Sequence, residues 1–436
     1  MALNRMVLSV RSRASGAIFP RGLTGDMLSM FTVHVMLFFI SLAMASVTAR
    51  WLGPEGKGTL SLILLGSGLL ALLLGGGVNV ANVYFAASGR LPVSQLTRLS
   101  VSWTLLASSG ALVLIAGASI WHERVIPGVP RWGLWAALSL IPWMVLGNSF
   151  SGILQGLQRI PAVSRIRLVQ SGLTLLLTLL LVAGMHWSLY GALAAVLAGQ
   201  VIGVGLMSGM LRDYGGRFRP HWPGRNRDVT AFGLKGHVAN LLQFLNYRLD
   251  MFLVNYFLGP AAVGIYGVAV SLAELMWFLP DAVGFVIVPR TAAAKTDVGT
   301  SGWRYAVLTT AAAAVGAVML AIAAPAIIRS VFSASFVSAY PALLWLLPGA
   351  VLLSGAKVLA SEVLGRGYPQ YNAITAAVGL AVTVALDLLL IPRLGIAGAA
   401  IATSLAYATV LGSAVYFSVI LRRRHRTTPA MQAGAL

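Results

Sequence analysis

The sequence Leu52-Gly53-Pro54-Glu55-Gly56-Lys57-Gly58 has a second copy 206 residues later, at Leu258-Gly259-Pro260-Ala261-Ala262-Val263-Gly264. Both copies read Leu-Gly-Pro-x-x-x-Gly, and each leads into a long apolar run, at 60–74 and at 265–279. Tyr190-Gly191-Ala192 and the corner from Gly156 to Pro161 also have counterparts about half a chain later, at Ala397-Gly398-Ala399 and from Gly365 to Pro369. We therefore predict two copies of one membrane bundle, and in transporters built this way the substrate site lies between the repeats.

The composition indicates that the solvent of this chain is mostly lipid. Hydrophobic residues form 58% of the sequence and charged residues 10%, whereas soluble chains carry about 25% charge. The absence of cysteine excludes disulfides, thiolate metal sites and a cysteine nucleophile. Because the six histidines show no ligand spacing, we expect neither a metal nor a cofactor.

Twelve apolar stretches have about the length that a bilayer span requires. They lie at about 27–49, 59–87, 97–119, 133–156, 166–186, 189–211, 230–257, 261–289, 305–328, 341–364, 371–391 and 395–421. The predicted fold class is an all-α polytopic membrane protein with two six-helix lobes around a central cavity. The predicted divisions are a basic tail (1–26), an N-lobe (27–211), a linker (212–229), a C-lobe (230–421) and a second basic tail (422–436).

The basic residues predict the orientation. With twelve spans, both termini lie on one side, and 22 of the 31 Lys and Arg residues fall on that side. Six fall on the opposite side: Arg50, Lys57, Arg124, Arg131, Arg329 and Arg393. Positive loops stay cytoplasmic, so both termini are predicted to be cytoplasmic. Because basic residues alternate between loops and do not gather on one face, the net charge of +20 does not indicate a nucleic-acid partner.

Two short motifs are given structural interpretations. Ala43-Met44-Ala45 resembles a signal-peptidase site, but the long leading tail and the continuing apolar run favour a retained first helix. The segment from Gly53 to Thr59 superficially resembles a phosphate-binding loop, yet it lacks the required spacing and no strand precedes it. It is interpreted as a tight turn between helices. With no loop long enough for a catalytic domain, we expect no enzymatic activity.

Polar residues inside spans are the candidate site, because each intramembrane charge is costly. On span seven, Asn240, Gln243, Asn246 and Asp250 recur at three- and four-residue steps and form one stripe. Such a stripe lines a cavity or forms hydrogen bonds between helices, and the sequence leaves both interpretations open.

The intramembrane charges lie mostly in the second half. Arg248 is expected either to pair with Glu274 on the next, antiparallel span or to contact substrate. Lys235 is expected to pair with Asp281, toward the cytoplasmic side. Lys357, deep in span ten, has no evident partner and is therefore the leading candidate for an exposed cationic site.

The first half offers uncharged candidates. Asn79 and Asn82 share a face near the cytoplasmic end of span two, after Gly75-Gly76-Gly77. Close helix packing explains these glycines as well as gating does. His34 on span one is interpreted as a structural histidine, with a proton-carrying role as the alternative.

The sequence resembles a known family in three places. The run Tyr247-Arg248-Leu249-Asp250-Met251-Phe252-Leu253-Val254-Asn255-Tyr256-Phe257-Leu258-Gly259-Pro260 is similar to a signature of bacterial polysaccharide flippases. So are Val263-Gly264-Ile265-Tyr266-Gly267-Val268-Ala269 and, in the first repeat, Ala49-Arg50-Trp51-Leu52-Gly53-Pro54. These flippases belong to the multidrug/oligosaccharidyl-lipid/polysaccharide exporter superfamily, and the resemblance extends from about residue 25 to 421.

The resemblance implies two lobes around a cavity that opens alternately to either side of the bacterial inner membrane. It implies a polyprenyl-diphosphate-linked oligosaccharide as substrate, with Arg248, Lys235 and Lys357 as the matching cations for the diphosphate. The expected partners are this lipid-linked oligosaccharide, membrane lipids and polysaccharide assembly machinery, and the expected state is a monomer. The alternatives are a drug or cation antiporter of the same superfamily, and a membrane oligosaccharide polymerase or ligase.

Overall fold

The computed structural model describes residues 23–220, 227–293 and 301–432, and every regular element in these ranges is a helix. The N-lobe contains α1 (Leu23–Leu74), α2 (Val78–Ala87), α3 (Val93–Ile120), α4 (Arg131–Gly156), α5 (Ile160–Thr178, continued as a π-helix to Gly184) and α6 (Ser188–Asp213). The C-lobe contains α7 (Arg227–Leu258), α8 (Pro260–Ala273), α9 (Phe278–Ala293), α10 (Ser301–Ile327), α11 (Ala339–Gly365), α12 (Pro369–Leu394) and α13 (Ile396–Gln432). The predicted all-α, two-lobe fold class is confirmed.

The repeated motif has the same backbone conformation in both lobes. Gly53 has φ 66° and ψ −177°, and Gly259 has φ 81° and ψ 177°. Both values of φ favour glycine, because a Cβ atom is strained there. Pro54 and Pro260 then start the next helical segment, a position that tolerates the missing N–H of proline.

The predicted turn is shorter than expected. Only Gly53 leaves helical geometry within α1, so the helix resumes directly after it. The chain nevertheless folds back there, since Ser41 and Ser61 line the same cavity. Lys57 therefore lies in a helix and is 8% exposed. The prediction that Lys57 lies in an outer loop is wrong.

The described helices account for all twelve predicted crossings. Ten segments are long and apolar enough to cross a membrane, and one of them, Val35–Leu74, contains the fold-back at Gly53 and thus two crossings. The remaining crossing is α7, 32 residues long and rich in polar positions. The lipid-facing surface is apolar: Val315, Val318, Met319 and Ile322 follow one face of α10 and are between 61% and 77% exposed.

Candidate substrate cavity and lobe interface

The two copies of the motif pack against each other. A Cβ atom on Gly58 would lie 1.7 Å from the carbonyl oxygen of Pro260, and one on Gly264 would lie 2.0 Å from that of Pro54. This reciprocal contact is what a two-fold relation between the lobes requires. It brings the lobes together at the face opposite to the basic loops, called here the opposite face. The side of the basic loops is called the basic face.

Hydrogen bonds reinforce the closure of the opposite face from both lobes. From the N-lobe, Ser46 Oγ donates to the carbonyl oxygen of Val331 at 2.5 Å, and Arg50 donates to the carbonyls of Val331 and Ser330. From the C-lobe, Asn255 Nδ2 donates to the carbonyl oxygen of Pro127 at 3.1 Å. The first crossing of each lobe thus binds the chain at the outer end of the third crossing of the other lobe.

A second contact between the lobes lies nearer the basic face, between α2 and α7. Gly77 and Gly233 approach so closely that a Cβ atom on Gly77 would lie 2.1 Å from the carbonyl oxygen of Gly233. The rings of Tyr84 and Phe232 stack 4.4 Å apart. His237 Nε2 lies 3.2 Å from the carbonyl oxygen of Leu73, a contact that needs the ring proton on Nε2.

Three adjacent cavities of about 500, 400 and 340 Å³ lie mainly in the N-lobe. We call them the basic-side, middle and deep cavities. The first two share Asn148, Ser151 and Arg167, and the middle and deep cavities share Gln170 and Gln200. Their volumes fall in the range of ordinary small-molecule sites. None of the described residues that line them is Asp or Glu.

Arg167 lines the basic-side and middle cavities and was missed by the sequence analysis. It lies seven residues into α5, not in a loop, and it is exposed to the cavity. Its Nη2 donates to Ser151 Oγ at 3.3 Å, and among the described residues no carboxylate pairs with it. The guanidinium therefore keeps donors free for an anion, and its planar fork suits phosphate oxygens.

A signal for this surface was present in the sequence. Arg167, Gln170, Thr174 and Thr178 recur at three- and four-residue steps, which places them on one face of α5. These residues were not predicted as a site because Arg167 was assigned to a cytoplasmic loop. The 22 basic residues assigned to that side therefore include Arg167, which lines two cavities of the N-lobe.

The leading C-lobe cations are paired with carboxylates. Arg248 Nη1 lies 2.9 Å from Glu274 Oε1, which is the pairing that the sequence analysis offered for it. Lys357 Nζ lies 2.7 Å from Asp281 Oδ1 and 4.7 Å from the ring of Trp277. The prediction that Lys357 lacks a partner is wrong, because its partner comes from α9, 76 residues away. Asp281 therefore pairs with Lys357, whereas Lys235 had been predicted as its partner.

Three carboxylates are buried in the described part of the C-lobe, and one of them, Glu362, pairs with Arg366 and Arg422. Asp250 accepts hydrogen bonds from Tyr266 Oη at 2.7 Å and from the backbone N–H of Met251 at 2.8 Å. Asp387 on α12 is fully buried, and both of its oxygens lack a hydrogen-bond partner among the described residues. Such a group can hold a proton or a small cation. No cluster of three or more metal-ligating side chains occurs in the described ranges.

The remaining predicted residues divide between packing and surface positions. Asn82 is buried and donates to Ser100 Oγ at 2.9 Å and to the carbonyl of Ser149 at 3.0 Å, so it holds helices together. Asn79 lines the basic-side cavity.

The polar stripe on α7 is exposed at its first two residues and buried at its last two. Asn240 and Gln243 are exposed, whereas Asn246 and Asp250 are buried. The side chains of Lys235 and His34 lie outside the described part of the structure.

Comparison with known structures agrees with this architecture. The chain has the fold of the lipid II flippase MurJ in an inward closed conformation, with a TM-score of 0.75, 12% sequence identity and coverage of 90% of this chain and 86% of that one. It also resembles an inward-facing multidrug resistance MATE family transporter of the MOP superfamily, with a TM-score of 0.69, 16% identity and coverage of 92% and 99%. The fold is that of a two-lobe, multi-pass membrane protein.

The sequence comparison gives the family. Residues 23–295 match the family model described as polysaccharide biosynthesis protein. The chain belongs to the polysaccharide biosynthesis protein family. A stretch of 67 residues is also 42% identical to the uncharacterized membrane protein YabM of Bacillus subtilis, and that match spans 15% of this chain and 13% of YabM.

Proposed function

We propose that this chain is a flippase that moves an oligosaccharide, carried on a polyprenyl diphosphate, across the bacterial plasma membrane by alternating access. The observation that carries the proposal is the charge of the N-lobe cavities. Arg167 projects into them, and no described lining residue is acidic. A fixed cation in a low-dielectric cavity attracts a diphosphate far more strongly than it would in water.

The uncharged lining suits the rest of this substrate. Asn79, Asn148, Ser151 and Gln155 surround Arg167, and Gln170 and Gln200 continue the polar surface into the deep cavity. Amides and hydroxyls both donate and accept hydrogen bonds, as sugar hydroxyls require. The apolar polyprenyl chain remains in the bilayer, while the polar head group and glycan pass through the protein.

The closed opposite face supports a cycle with a defined direction. We propose that the basic face is cytoplasmic, so the substrate enters from that side near Arg167. The lobes then rock against each other, as rigid repeats do in alternating access, and the Gly58–Gly264 contact separates. Breaking the bonds of Arg50, Ser46 and Asn255 to the other lobe opens the opposite face and releases the substrate there.

A deletion strain tests the proposal. We expect lipid-linked oligosaccharide to accumulate on the cytoplasmic leaflet, and wild-type protein to relieve the accumulation. Arg393→Gln, which removes an exposed cation at the end of α12, serves as the matched control and should complement fully. Arg167→Ala should not complement at equal expression. Normal surface polysaccharide in the deletion strain would contradict the proposal.

A cation antiporter is the second candidate, and Asp387 is the observation that favours it. A buried carboxylate without hydrogen-bond partners suits proton or cation exchange, and one structural relative is a multidrug resistance transporter. Sensitivity of the deletion strain to cationic dyes, rescued by wild type but not by Asp387→Asn, would support this function. Accumulation of lipid-linked oligosaccharide without dye sensitivity would exclude it.

A further inference from the structure

Lys57 is a second cation in the N-lobe, and neither the family nor the flippase function explains it. It lies at the wall of the deep cavity and is 8% exposed. Within the described ranges its Nζ makes two long hydrogen bonds, to the carbonyl oxygen of Ala45 at 3.3 Å and to Thr48 Oγ1 at 3.4 Å. Among the described residues no carboxylate pairs with it. A buried ammonium without a counter-charge costs several kcal/mol, which indicates a functional site.

The rest of the deep cavity is polar and uncharged. Its polar lining residues include Ser41, Thr48, Ser61, Thr174, Gln170 and Gln200. The hydroxyl of Thr174 donates to its own helix at the carbonyl of Gln170, which leaves its lone pairs as acceptors. Gln170 Nε2 donates to Gln200 Oε1 at 3.1 Å, which fixes the orientation of both amides. This arrangement fits a molecule with several hydroxyls and one negative charge.

The position of Lys57 separates it from the diphosphate site. Thr174 lines the deep cavity with Lys57, and it lies seven residues beyond Arg167 on α5, a rise of roughly 10 Å. Arg167 lies toward the basic face, whereas Lys57 lies just after the fold-back at Gly53, near the opposite face. A substrate whose diphosphate binds Arg167 therefore presents a distal part of its glycan to Lys57.

We propose that the deep cavity is a subsite for a carboxylate-bearing sugar, with Lys57 binding the carboxylate and the surrounding amides and hydroxyls binding the ring. This inference rests on the proposed flippase function and deepens it, because it assigns an acidic sugar to the glycan. A charge-assisted hydrogen bond contributes roughly 1.5–3 kcal/mol. Removing the ammonium should therefore weaken binding of an acidic sugar by about tenfold or more, and should leave binding of a neutral sugar unchanged.

The test uses the purified full-length protein with sodium glucuronate, glucose and sodium chloride as probes at matched ionic strength. Ligand binding is measured by the concentration dependence of the thermal unfolding midpoint. Wild type and the control Arg393→Gln should be stabilised by glucuronate more strongly than by glucose or chloride. Lys57→Gln should lose this preference. An equal response of wild type to glucuronate and glucose would overturn the proposal, and so would a response to chloride that matches the one to glucuronate.

A second variant covers the case in which Lys57→Gln does not fold. Gln200→Leu keeps the ammonium but removes an amide from the same cavity, so it should weaken the response to glucuronate and to glucose together. An unchanged response to both would overturn the subsite. The flippase function is tested separately: absence of the glucuronate preference in wild type, together with retained transport of a neutral lipid-linked glycan, overturns only the subsite.

Discussion

At the scale of single residues, the cations inside the helices differ in whether a carboxylate pairs with them. Arg248 and Lys357 each contact a carboxylate, whereas Arg167 and Lys57 contact only hydroxyl or carbonyl oxygens among the described residues. The Arg248–Glu274 pair could be proposed from sequence because the two helices are consecutive and antiparallel. The Lys357–Asp281 pair could not, since α11 and α9 are separated by a further helix in the chain.

The paired role of Arg248 predicts the outcome of a charge exchange. Arg248 and Glu274 are 30% and 26% exposed, so the pair lies between the surface and buried limits. Arg248→Ala or Glu274→Ala alone should lower the free energy of unfolding by roughly 1–3 kcal/mol. The double exchange Arg248→Glu with Glu274→Arg should restore both stability and transport. A double exchange that folds but does not transport would show that Arg248 contacts substrate.

The stability of the protein should respond differently to neutralisation of the buried carboxylates Asp250 and Asp387. Asp250→Asn disturbs the hydrogen bonds with Tyr266 and Met251. It should lower the free energy of unfolding by about 1–3 kcal/mol, and the unfolding midpoint should fall with it. Asp387→Asn breaks no hydrogen bond in the described structure and should leave the midpoint equal or higher. Thermal unfolding of both variants in the same detergent checks that the midpoint of Asp250→Asn is the lower of the two. A larger loss of stability for Asp387→Asn would contradict it.

At the scale of elements, the repeated Leu-Gly-Pro motif serves two purposes. Its first glycine breaks the helix, and its last glycine allows the lobes to touch. The sequence predicted the first purpose from the glycines and the proline. It could not predict the second, because contact between two distant copies depends on how the lobes pack. Lys57 was assigned to a loop because the glycines and the proline predicted a longer turn, whereas only Gly53 leaves helical geometry.

Gly58→Ala tests the contact between the motifs. The added Cβ atom overlaps the carbonyl of Pro260, so the lobes must separate at the opposite face. The matched control is Gly66→Ala, whose Cβ atom meets no heavy atom within 4 Å. The natural chain has no cysteine, so a single Ala49→Cys can report on this interface, where Ala49 is 1% exposed.

The readout is the rate at which a membrane-impermeant maleimide modifies this cysteine from outside. We expect a severalfold faster reaction in the Gly58→Ala background and no change in the Gly66→Ala background. Equal rates in all three backgrounds would mean that the glycine contact does not hold the opposite face closed.

At the scale of the whole molecule, hydropathy and the internal repeat predicted the architecture almost completely. Lipid requires each crossing to satisfy its own backbone hydrogen bonds, so apolar runs of sufficient length must be helices. The location of the cavity was not predicted. The intramembrane charges predicted a site mainly in the C-lobe, whereas the cavities lie mainly in the N-lobe. There, serine, threonine and glutamine form most of the polar lining.

The orientation of the molecule remains a prediction with a direct test. Reporter fusions after residue 220 and after residue 425 should both be active as cytoplasmic reporters, because positive loops stay on the cytoplasmic side. A fusion after residue 128, in the connection between α3 and α4, serves as the control for the outer side. A periplasmic reading after residue 220 or 425 would reverse the proposed direction of transport.

Reconstituted vesicles provide the most direct measurement of substrate movement. Purified protein is placed in vesicles that contain a labelled polyprenyl-diphosphate oligosaccharide, and the fraction accessible to an external glycan-cleaving enzyme is followed over time. Wild-type protein and Arg393→Gln should make nearly all of the labelled lipid accessible, whereas Arg167→Ala should slow the process at least tenfold at equal protein content. Wild-type vesicles with no more accessible lipid than protein-free vesicles would contradict the flippase function, and full activity of Arg167→Ala would contradict the N-lobe site.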